Sequence, residues 1–115
     1  MAKYVTIPEP AEIHDPVTDE STGEVVPFLK TARIVCALAA QQVDALTLID
    51  IRRKLTSASV GDVVELTDEE HGAVVAHFRA PKGVAPALIF SAEAHLRAVV
   101  DATSKRPAHA ATESK

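Results

Sequence analysis

The chain has 115 residues, 47% of them apolar and 24% charged, and its 12 basic and 16 acidic side chains leave a formal net charge of −4. This composition excludes disorder throughout the chain. It also excludes a broad positive field of the kind that supplies much of the affinity of general nucleic-acid and anionic-membrane binders. One small domain is expected at this length, and the single cysteine, Cys36, means that packing rather than an internal disulfide must hold it.

At the N-terminus Lys3 to Ile7 is β-rich and weakly alternating, and Pro8 and Pro10 end the strand. The following run, EIHDPVTDESTGEVVPF, reads as an irregular hairpin or β-arm whose return strand is Glu24 to Val26. Asp15-Pro16 and Ser21-Thr22-Gly23 are its turn formers, because proline fixes φ and glycine permits φ > 0. The prolines gathered before Phe28 argue for edge strands rather than a central sheet.

Between Phe28 and Leu55 there is no proline or glycine, and Ala, Leu, Gln, Arg and Lys dominate, so helix is predicted. It is either one rod or two helices hinged near Ala40–Gln42. Phe28, Ala32, Val35, Leu38 and Ala39 share a face in the first half, and Leu48, Ile51 and Leu55 in the second. Leu46 and Ile49 widen the second stripe round the cylinder, which implies neighbours on more than one side. Ser57 to Gly61 breaks the helix, and Asp62 to Leu66 is a short strand. Thr67-Asp-Glu-Glu70 then supplies a capping box for a helix that runs to about Arg79, with His71, Val74, Val75 and Phe78 on one face. A final helix is read from Ala85 to Thr103, with Ala85, Leu88, Ile89, Ala92, Leu96, Val99 and Val100 at three- and four-residue steps. Glu93, Arg97 and Asp101 follow at i+4 on its other flank.

The expected fold class is therefore α+β: an N-terminal β-arm or hairpin over residues 1–27, then a three- to four-helix domain over 28–103 with one short extra strand. Residues 104–115 are expected to be a disordered tail. The opening MAKYVTIPEPAE has no apolar run of the signal-peptide kind. The longest apolar stretch, Ile34–Ala40, falls far short of the ~20 residues a bilayer requires, so a soluble cytoplasmic protein is expected.

Chemistry-bearing patterns are scarce. No HExxH, cysteine pair or His-x-His spacing points to a metal, and His71 and His77 stand about 240° apart on a helix, so they cannot chelate from one face. His71 reads as a packed histidine bonded to a backbone carbonyl. Cys36 lies mid-helix in an apolar run, where a thiol behaves as a small core hydrophobe rather than a nucleophile. The dispersed glycines cannot build a phosphate loop, and Asp68, Glu69 and Glu70 are explained by helix capping. Neither catalysis nor a cofactor nor a small-molecule substrate is expected. What remains is surface for other proteins, for which Phe28, Arg33, Leu48, Arg52 and Arg53 are the candidate partner-binding residues. Arg52-Arg53-Lys54, with Arg33, also admits a nucleic-acid-binding regulator, although no helix-turn-helix spacing supports it.

The order of elements VTIPEP, DPVTDESTGE, VVPFLKTARI, GDVVELTDEE and PALIFSAEAHLRAVV, covering most of residues 4–102, resembles short accessory proteins of tailed bacteriophages. The resemblance implies a morphogenesis factor, in tail assembly or as a minor virion component, whose partners are other phage structural proteins or itself. It would be made in the bacterial cytoplasm and could be carried into the virion. A small phage-encoded inhibitor of a host protein is the alternative. The resemblance carries no functional residues over.

Overall fold

The computed structural model describes residues 2–105. The architecture is α+β. Strands β1 (Lys3–Thr6), β2 (Ala11–His14) and β3 (Ser21–Val26) precede helices α1 (Phe28–Ala39) and α2 (Ala45–Thr56). Strand β4 (Val63–Leu66) follows, then α3 (Asp68–Arg79), α4 (Pro86–Ser91) and α5 (Glu93–Val100).

The expected hairpin is β2–β3, with Ala11 opposite Val26, Glu12 opposite Val25 and His14 opposite Ser21. Residues 22–24 stand opposite Ile13 alone, and Gly23 supplies the positive φ (84°) that this bulge needs. At the tip Asp15 Oδ1 accepts the backbone N–H groups of Val17 (2.8 Å) and Thr18 (3.0 Å), an Asx turn that also holds the Asp15 carboxyl below the usual carboxylate range. The N-terminal segment is not a separate arm. β1 pairs antiparallel with β4, Val5 opposite Val64, and Tyr4 also bridges to Thr103. Val5 and Ile7 thus enter the same core as the helices.

The 28–55 segment is two helices. α1 ends at Ala39, and Asp44 caps α2 by accepting the Thr47 N–H at 3.1 Å, so the chain reverses over 40–44 and α2 packs back on α1. The expected α1 face is corrected at one position. Phe28, Ala32, Val35 and Ala39 are buried, joined by Thr31 and Cys36, while Leu38 is 40% exposed. On α2, Leu48, Ile51 and Leu55 are buried, but Leu46 and Ile49, which widen the stripe, face outward.

The capping box is present in full on α3. The Thr67 hydroxyl accepts the Glu70 N–H at 3.0 Å and Glu70 Oε1 accepts the Thr67 N–H at 2.9 Å. Val74 and Phe78 are fully buried, with His71 and Val75 half-buried beside them.

The single C-terminal helix expected over 85–103 is corrected to two. The helix breaks at Ala92 (φ −100°, ψ 31°), and five helices result among the described residues. With Ala92 buried at the corner, α5 packs on α3 while α4 swings against β2, where the His14 N–H donates to Ser91 Oγ at 2.9 Å. Tertiary packing of two helix faces in two directions overrides an unbroken local pattern. Of the expected tail, all but Ser104 and Lys105 lies outside the described residues, as does His109. No helix among the described residues is long and apolar enough to cross a membrane.

Candidate functional site

The reversal at 40–44 lays α1 and α2 side by side and leaves a shallow groove of about 270 Å³ on their outer surface. On the α1 side Arg33, Ala37 and Ala40 fall at i, i+4 and i+7, and the two alanines form a floor with no side chain beyond Cβ. On the α2 side Leu48, Ile49 and Arg52 line it. Ile49 is 47% exposed, and Leu46, one turn earlier on the same side of α2, is 73% exposed. Arg33 and Arg52 stand on the two walls, both exposed, and neither makes an ion pair among the described residues. An apolar floor between two unpaired guanidinium groups can hold a segment that is both apolar and acidic.

The structure sorts the five candidate residues three ways. It brings Arg33 and Arg52 together across one groove, although 18 positions separate them in the sequence. Phe28 (2% exposed) and Leu48 (8%) are corrected from partner-binding to core: Phe28 packs edge-on against His95, and Leu48 presents only a sliver to the groove. Arg53 points elsewhere, to Asp50 at 3.8 Å. Its neighbour Lys54 donates to Glu70 Oε1 at 2.7 Å, so two of the three cations of Arg52-Arg53-Lys54 are already met by carboxylates. Burial of Glu70 opposes its ionisation, but the hydrogen bonds from Lys54 and the Thr67 N–H outweigh it and hold the carboxyl below its usual range.

Cys36 lies under the groove floor, 2% exposed, and burial pushes its thiol up to about 11 against a small opposing pull from the Arg52 charge. A thiol in that state is neither nucleophile nor ligand. His71 Nε2 meets the Val99 carbonyl at 2.8 Å, the packed arrangement expected of it.

His95 is the residue that sequence alone did not single out, although Ala92, His95 and Val99 fall at i, i+3 and i+7 on the buried face. It is fully buried and joins α1 to the segment between β1 and β2 through Thr31 and the Glu9 carbonyl.

Further concavities lie elsewhere on the fold. One of about 350 Å³ between α1 and the end of α3 is lined by Leu38, Gln42, His77 and Pro81. Another, of about 560 Å³ between the hairpin tip and the end of α4, is lined by Glu12, His14, Asp15, Asp19 and the exposed Phe90. Among the described residues no group of three or more His, Cys, Asp or Glu is arranged to hold a metal ion. No family model, curated protein or solved structure matches this chain.

Proposed function

We propose that this chain is a non-catalytic morphogenesis protein of a tailed bacteriophage, a tail-assembly or minor virion component that works by contact with other structural proteins or with itself. One observation carries the contact reading. The apolar stripe of α2 is wider than its own fold covers, so Leu46 and Ile49 stay in water beside the Arg33/Arg52 groove. Full burial of an exposed leucine or isoleucine contributes about 1.5–3 kcal/mol, of which covering Leu46 supplies most and covering the half-buried Ile49 about half; an interface with a buried apolar centre and charged rim is the form stable protein contacts take. The phage setting rests on the resemblance, in order of elements over most of residues 4–102, to accessory morphogenesis proteins.

The test is co-purification from infected cells of the tagged wild type and a Leu46→Ser/Ile49→Ser variant. Both substitutions lie on the exposed side of α2 and leave the core intact. The wild type is expected to retain phage structural proteins and the variant to lose them. Equal retention by both would remove the α1–α2 face from the account, and retention of a single host enzyme instead would favour a host-directed inhibitor.

A further inference from the structure

Charge is divided unevenly along this chain. Residues 1–27 hold six carboxylates (Glu9, Glu12, Asp15, Asp19, Glu20, Glu24) against Lys3. Residues 28–56 hold five cations (Lys30, Arg33, Arg52, Arg53, Lys54) against Asp44 and Asp50. Inside the fold Arg53 and Lys54 find carboxylates, whereas Arg33 and Arg52 find none among the described residues. The hairpin mirrors this. Asp19, Glu20 and Glu24 are exposed and make no ion pair among the described residues, and they are interleaved with Val17 (90% exposed) and Val25 (57%). The hairpin lies against α4, and no hairpin residue lines the α1–α2 groove. One protomer therefore carries an acidic, apolar projection and a basic, apolar recess that it does not join.

Resting on the contact reading above, we infer that the occupant of the α1–α2 groove is the acidic β2–β3 hairpin of a second copy of this chain. A hairpin valine covers the alanine floor, and the hairpin carboxylates meet Arg33 and Arg52, which can each bind a carboxylate through two parallel N–H donors. Because every copy offers one hairpin and one groove, the contact is heterologous and association continues past the dimer until a ring closes or a filament grows.

Sedimentation velocity of the full chain tests this. At low ionic strength the wild type is expected to show a weight-average mass that rises with concentration above that of the protomer. The rise should be lost near 1 M salt, where charges more than ~3 Å apart are screened. Arg33→Gln/Arg52→Gln and Asp19→Asn/Glu20→Gln/Glu24→Gln are each expected to sediment as protomers, with circular dichroism unchanged because all five side chains are exposed and make no ion pair among the described residues. Their equimolar mixture should associate again but stop at a one-to-one dimer, since each variant keeps one intact half. A wild type that remains a protomer at every concentration, a variant that associates as well as the wild type, or a mixture no heavier than its components would overturn the inference. If the wild type stays a protomer while Leu46→Ser/Ile49→Ser still strips structural proteins from the tagged chain, self-pairing fails and the contact face stands. If that substitution strips nothing, the contact reading fails as well.

Discussion

The Thr31 hydroxyl lies 2.8 Å from Nδ1 of His95, with both side chains fully buried. On the other side of the ring Nε2 lies 2.8 Å from the Glu9 carbonyl, which can only accept, so Nε2 carries the proton. In the neutral ring Nδ1 then accepts from Thr31. One side chain thereby ties α1, α5 and the turn leaving β1, three segments that are distant in sequence.

Burial lowers the pKa of His95 from 6.5, more than the bond to the Glu9 carbonyl raises it. The unfolded chain therefore binds a proton near pH 6.5 that the folded chain refuses. Stability is full above that value and falls as pH drops from 6.5 toward the lowered folded value. Asp15, Asp44 and Glu70, whose pKa values are held below 3.8, 3.8 and 4.5, act only in a more acidic window. Urea titrations between pH 5 and 8 should show a slope that His95→Gln abolishes, in a variant less stable at pH 8; an unchanged slope would assign it to another group.

Glu70 closes the α3 cap and neutralises Lys54 at once. Thr67→Ala should cost about 1 kcal/mol, the usual value of an N-cap. Glu70→Ala should cost more, about 1–3 kcal/mol, because it also leaves a half-buried ammonium without its partner. Chemical denaturation of the two variants checks the order.

Cys36, with its thiol pushed up to about 11, should react slowly with a disulfide reagent at pH 8 in the native protein and fast after unfolding. Rapid labelling of the folded chain would place the thiol outside the core.

Ser91 links α4 to the hairpin by accepting the His14 N–H. Ser91→Ala should shift global unfolding by no more than about 1 kcal/mol while hydrogen exchange quickens at the amides of β2 and β3. Faster exchange spread evenly over α1 and α3 would contradict that local role.

Much of the fold was legible because its signals are local: the Thr67–Glu70 capping box, the turn residues of the hairpin, and the periodic apolar positions of α1, α2 and α3. The pairing of β1 with β4 was not, since nothing in KYVTI specifies a partner some sixty residues away. The break at Ala92 lacks glycine or proline and follows from α4 and α5 packing on different neighbours. For the site, the stripe on α2 announced more apolar surface than one neighbour covers, but not which arc stays open. Phe28 and Leu48 went to the core and Leu46 and Ile49 to water, because the direction from which α1 folds back decides it.

The most direct test of the α1–α2 face as the working surface is site-specific photo-crosslinking in infected cells, with the probe placed at Ile49 or at Glu65, which is exposed on β4 outside the groove. The account predicts adducts from position 49 to a second copy of this chain or to a phage structural protein, and none from position 65. Equal adducts from both positions, or adducts from position 65 alone, would contradict it.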